Sequence, residues 1–108
     1  MPPLTAALQT YLLIDRSPAT NINYLRILSR LIAAIGSERD VARVSYEDLA
    51  DYFHAFLANG LKRSTVSQYL QVTQTFFTWC VRRGYIERSP ADDLHIRKIA
   101  EPSRSRAV

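Results

Sequence analysis

With 108 residues, 47% of them hydrophobic and 22% charged, the chain holds enough apolar material for one core and too little for two. A single cysteine, Cys80, excludes a disulfide scaffold, and no apolar run of 18 or more residues is present to span a membrane. Fourteen basic and ten acidic side chains leave a net charge of +4, divided unevenly: residues 1–59 carry −1 and residues 60–108 carry +5. A field concentrated in one half suits a polyanionic partner, although solubilising charge alone accounts for a value of this size. Met1-Pro2-Pro3-Leu4 lacks the basic start and apolar stretch of a secretory signal, so the expected compartment is a reducing cytoplasm.

The first predicted helix covers about residues 4–14, with Leu4, Leu8, Tyr11 and Leu12 on one face. The second covers 18–35. Ser17 is a suitable N-cap, Pro18 suits the first helical position, and Tyr24, Leu25, Leu28, Leu31, Ile32 and Ile35 recur at helical spacing. The third covers 46–59, opened by Ser45 with Asp48 three residues on, and striped by Leu49, Tyr52, Phe53, Phe56 and Leu57. The fourth covers 64–83, with Val66, Tyr69, Leu70, Thr73, Phe76, Phe77 and Cys80 facing inward. The three glycines, Gly36, Gly60 and Gly84, each follow one of the long helical segments, where glycine is favoured just past a helix end. Ser89-Pro90 opens a short helical turn near 90–94, and Pro102-Ser103-Arg104-Ser105-Arg106 reads as a flexible basic tail. No alternating strand pattern occurs. The expected architecture is therefore all-α, a compact bundle of four main helices, in which Trp79 lies off the core stripe and covers a bundle edge or meets a partner.

The outer face of the fourth helix carries Ser64, Gln68, Gln71, Thr75 and Arg82, and no acidic residue occurs between Lys62 and Arg83. Glutamine pairs bidentately with adenine, and hydroxyls reach bases or phosphates. Lys62-Arg63 stands just before this helix, where free amides and adjacent cations make a phosphate seat. The second helix offers Thr20, Asn23, Arg26, Ser29 and Arg30 outward. Both faces also read as ordinary solvated surface. His54, His95 and Cys80 do not form a metal-ligand pattern, the glycines are isolated rather than gathered in a phosphate loop, and no nucleophile, base and orienting group assemble. No cofactor is implied, and the chain reads as a binding module.

Three stretches resemble the N-terminal core-binding domain of the tyrosine recombinases, the phage-integrase and Xer-type family. They are Ser17-Pro18-Ala19-Thr20 with Tyr24 and Leu28; Gly60-Leu61-Lys62-Arg63-Ser64-Thr65-Val66 with Leu70 and Phe76-Phe77-Thr78-Trp79; and Gly84-Tyr85-Ile86-Glu87-Arg88-Ser89-Pro90, in which serine replaces the usual asparagine of a closing Asn-Pro. The likeness covers about residues 4–100, in order and spacing. It implies a helical bundle that clamps double-stranded DNA, with its second and fourth helices at the major groove. The positions that match are Thr20, Asn23 and Arg26 on the second helix, and Lys62, Arg63, Ser64, Thr65, Gln68 and Gln71 on the fourth. Arg97 and Lys98 fall where the family's linker crosses the DNA backbone.

The resemblance further implies that catalysis, through an arginine-rich pocket and a tyrosine nucleophile, belongs to a C-terminal catalytic domain of the same parent chain. Residues 1–100 would then be the DNA-binding unit and 101–108 the linker, the sequence being a piece of a longer recombinase that works as a multimer on DNA, or else a natural stand-alone copy of that unit. An alternative reading of the same residues is a stand-alone helical protein-interaction module without a nucleic acid partner, using Trp79 and Ile27.

Overall fold

In a computed structural model, which describes residues 2–96, the chain folds into four α-helices and one short 3₁₀ turn. The helices are α1 (Leu4–Tyr11), α2 (Pro18–Ile35), α3 (Tyr46–Ala58) and α4 (Arg63–Arg82), with the 3₁₀ turn at Val41–Arg43. Their starts follow from local chemistry. Ser17 caps α2, accepting from the Thr20 amide at 3.2 Å, with Pro18 in the first turn. Ser45 and Asp48 form a complete capping box at α3: the Ser45 hydroxyl accepts from the Asp48 amide and the Asp48 carboxylate accepts from the Ser45 amide, each at 3.1 Å. The Arg39 guanidinium also binds that carboxylate.

α1 begins differently. Its N-cap is Pro3, which has no side-chain donor or acceptor to offer, and its first two amides bond across the fold. Leu4 donates to the Arg39 carbonyl at 2.8 Å and Thr5 to the Ser37 carbonyl at 3.0 Å. Val41 donates back to the Pro2 carbonyl at 3.0 Å, and Pro3 and Asp40 form an isolated antiparallel bridge. The loop that joins α2 to α3 thus supplies what α1 lacks.

Glycine ends α3 and α4 in the same way. After α4, Gly84 (φ 79°) donates to Val81 and Tyr85 donates to Cys80, each at 3.0 Å. After α3, Gly60 (φ 91°) donates to Leu57 and Leu61 to Phe56, each at 3.1 Å. This paired closure requires a left-handed residue at the glycine.

α4 is the central element and packs against α1, α2 and α3. Phe53, Phe76, Phe77, Leu28, Leu49 and Val66 are fully buried, as their helical stripes predict. The Thr73 hydroxyl, buried among them, donates to the Tyr69 carbonyl at 2.8 Å. Two positions depart from the stripes. Leu25, placed on the α2 core face, is 47% exposed, and Ile27, placed at its margin, is buried at 5%. The face that α2 turns to α4 is therefore rotated from the one its apolar periodicity indicates.

The boundary of the first helix also departs from the sequence. The apolar run Leu12-Leu13-Ile14 extends the pattern to residue 14, but the helix ends at Tyr11. Leu13 and Ile14 donate to the carbonyls three residues back, at 3.1 and 3.2 Å, which tightens the chain. Leu13 is left 83% exposed. The tightening lets Arg16 fold back over Tyr11 and leaves Ser17 extended to cap α2. At α4 the helix opens one residue earlier than expected, at Arg63, with Lys62 as N-cap and Arg83 as C-cap, and at α3 Asn59 is the C-cap.

Near 90–94 the chain makes a hydrogen-bonded turn: the Ser89 hydroxyl accepts from the Ala91 amide at 3.0 Å and Leu94 donates to the Ala91 carbonyl at 3.1 Å. Ala91 and Leu94 are wholly buried. Arg97, Lys98 and the basic stretch 102–106 lie outside the described residues. Among the described residues no helix is long and apolar enough to cross a membrane.

Candidate nucleic-acid interface

α4 supplies most of the candidate residues. Its N-terminus has no side-chain cap and no acidic residue in the first turn. The amides of the first turn thus meet only the exposed Lys62, Arg63 and Ser64, with Thr65 half-buried behind them. A helix start with free amides, its positive dipole end and two cations is an arrangement that favours an anion. Gln68 and Gln71 are exposed further along. No hydrogen bond among the described residues occupies the Gln68 side chain, and the Gln71 backbone carbonyl accepts from the Thr75 hydroxyl at 2.9 Å.

α2 supplies Asn23 and Arg26, both exposed and bonded to each other, Arg26 donating to the Asn23 carboxamide oxygen at 2.7 Å. Thr20 is half-buried and engaged in the helix start, its hydroxyl oxygen accepting from Ser17 at 2.8 Å. Arg30, on the same outward face by periodicity, lies over the Phe56 ring of α3 at 5.6 Å and serves the α2–α3 contact.

The two helices meet at a cleft of about 410 Å³ formed by the end of α1, the start of α2 and the second half of α4. Tyr24 of α2 and Gln71, Thr75 and Arg82 of α4 line it, and Arg16 enters from the α1–α2 connection. The Arg16 guanidinium lies 4.3 Å from the centroid of Tyr11 and 5.0 Å from that of Tyr24, and it donates to the Asn21 carboxamide oxygen at 2.6 Å. Burial raises the Tyr11 hydroxyl above its ordinary pKa, and the charge of Arg16 partly offsets that rise. Neither Arg16 nor Arg82 pairs with a carboxylate among the described residues, where Arg39 with Asp48 is the ion pair present.

The sequence does not single out Arg16, because a loop arginine carries no periodic signal. Arg82 is visible on the polar face of α4, yet only the fold brings it to the same cavity as Arg16.

The residues named for a protein-docking surface have other duties. Ile27 is core. Trp79 is half-buried against Tyr11, Phe76 and Tyr85, with ring centroids 5.0, 6.1 and 5.7 Å away, and it closes the bundle edge. Cys80 is buried in an apolar setting that pushes its thiol up to about 12. No group of three metal-ligating side chains occurs among the described residues.

An all-α bundle with an exposed, acid-free polar face on its central helix is the frame on which the family likeness can be judged. The chain belongs to the phage integrase N-terminal SAM-like domain family, whose model matches residues 6–84. It is also 29% identical over 80 residues to the tyrosine recombinase XerC of Oceanobacillus iheyensis, a match covering 74% of this chain and 26% of that protein. The chain thus corresponds to about a quarter of the curated relative's length. No solved structure matches it.

Proposed function

We propose that this chain is the DNA-gripping domain of a site-specific tyrosine recombinase, holding duplex DNA through α2 and α4. The observation that carries this reading is the outer face of α4. Uncharged amides and hydroxyls follow an uncapped, cation-flanked helix start, and no carboxylate interrupts them from Lys62 to Arg83. A solvated helix face is ordinarily filled with glutamate and lysine. Lys62 and Arg63, with the first-turn amides around Ser64 and Thr65, take a phosphate and set the register. Gln68 and Gln71 then reach base edges, and Thr20, Asn23 and Arg26 contact the duplex from α2. Arg97 and Lys98 continue the backbone contact towards the linker at 101–108.

On this reading the chain supplies grip and register. Strand exchange through a phosphotyrosyl intermediate is the work of the catalytic domain of the parent chain, assembled as a multimer on DNA in the cytoplasm.

The test is a titration of isotopically labelled protein with a short duplex at low and moderate salt. Amide shifts clustered at 20–30 and 62–75, fading with added salt, are the expected result, because neutralised phosphates release counterions. No shift at low salt overturns the reading.

A further inference from the structure

The cleft at the far end of α4 has the features of a second phosphate seat. It is concave, about 410 Å³ in volume, and the charged side chains lining it are Arg16 and Arg82, with no acidic residue among the lining. Two cations sharing one concavity repel each other unless an anion lies between, and low-dielectric walls focus their field. Arg16 is already positioned. Stacking over Tyr11 and Tyr24 and the bond to Asn21 fix its plane, and Asn21 is itself held by donating to the Leu12 carbonyl at 3.3 Å. A guanidinium has five N–H donors, and its bonds to Asn21 and to the Tyr11 hydroxyl leave others for contact with phosphate oxygens.

The placement along α4 gives the seat its meaning. The helix is 20 residues long, roughly 30 Å at about 1.5 Å per residue. The major groove is about 12 Å wide, so a helix of this length laid across it would outspan it, with its two ends over opposite phosphate walls. Lys62 and Arg63 occupy one end, Arg82 with Arg16 the other, and Gln68 and Gln71 lie between.

We infer that the cleft between the α1–α2 connection and the second half of α4 seats a backbone phosphate of duplex DNA, held by Arg16 and Arg82, on the groove wall opposite the one bound by Lys62 and Arg63. This rests on the proposal that the domain grips duplex DNA.

The test is fluorescence anisotropy of the full chain with a labelled duplex over a salt series, using Arg82→Gln, Arg16→Lys and Lys62→Ala. Arg82 is exposed, so its variant keeps the fold, which a thermal melt verifies. Arg82→Gln is expected to weaken binding about threefold or more for every sequence and to lower the slope of log K against log salt by about 0.9. Arg16→Lys keeps the charge and loses the stacked fork, so affinity falls while the slope holds. If Lys62→Ala lowers affinity and slope while both arginine variants bind as the unaltered chain does, the cleft assignment fails and the grip reading survives. If the unaltered chain shows no salt-dependent duplex binding, the grip reading fails first. Equal competition by inorganic phosphate or by a single strand of the same length would make the cleft a general anion site and overturn its assignment to the duplex backbone.

Discussion

The carboxamide of Gln74 ties the end of the described chain to the middle of α4: its Nε2 donates to the Leu94 carbonyl at 3.0 Å and to the Ala91 carbonyl at 3.2 Å. Both partner residues are fully buried. The turn at 90–94 is therefore part of the bundle, although the match to the family model stops at residue 84.

Gln74→Leu removes both bonds: the Leu94 carbonyl is left without a donor among the described residues, and the Ala91 carbonyl keeps only the Leu94 amide. A loss of about 1–3 kcal/mol is expected, read as a lower urea midpoint with an unchanged m-value. A chain shortened to residues 1–88 should lose more, because Ala91 and Leu94 leave the core with the turn. Equal midpoints for the shortened and full chains would show that the turn contributes nothing.

Ser45→Ala breaks the capping box at α3 and should cost about 1 kcal/mol near neutral pH. The Ser45 amide, the Ser45 hydroxyl and Arg39 hold the Asp48 carboxyl below its ordinary value of 3.8. Because the folded state holds that carboxyl more acidic than the unfolded chain does, the stability it gives is complete above the ordinary value and fades as pH falls below it. Asp48→Asn should flatten this acid limb, measured by denaturation between pH 6 and pH 2.

At the alkaline end the sign reverses. Burial raises the pKa of Cys80 to about 12, from an ordinary 9.0, and raises those of Tyr11 and Tyr52 above 10.0. The unfolded chain gives up these protons first, so stability is complete below about pH 9 and declines above it. Cys80→Ala should remove part of that decline, at the expense of a small cavity. Alkylation of Cys80 in the unaltered chain should proceed only at the rate of opening, which a thiol-reagent time course with and without urea reads directly.

Gly84→Ala should cost about 1 kcal/mol or more, because φ is 79° there, and the penalty is conformational, since nothing lies within 4 Å of an added Cβ. Gly84→Asn should cost less, because asparagine tolerates the left-handed region. Equal melting temperatures for the two variants would contradict this.

Much of the bundle was legible in the sequence for reasons that these residues expose. Ser17-Pro18 and Ser45 with Asp48 mark helix starts by local hydrogen bonding, and Gly60 and Gly84 mark helix ends by backbone sterics, so neither needs tertiary context. What escaped depends on neighbours. The Val41–Arg43 turn is too short to carry a period. The apolar run through Ile14 hides the end of α1, and the two carbonyls that Gln74 meets come from residues 91 and 94, too far along the chain for any local pattern to show. The site divides in the same way. The outer face of α4 is periodic and visible, whereas Arg16 and Arg82 line one cleft only after the α1–α2 connection folds back.

That fold-back has a counterpart at the other end of α1. With eight residues this helix is well short of the ~12–15 that persist alone, and its leading amides find acceptors only on residues 37 and 39. Exchange of the Leu4 and Thr5 amides with deuterium is thus governed by the opening that frees the α2–α3 loop, so the N-terminal strap does not fray by itself. A pull applied to the N-terminus is borne first by that loop, and α1 is released as one latch together with it.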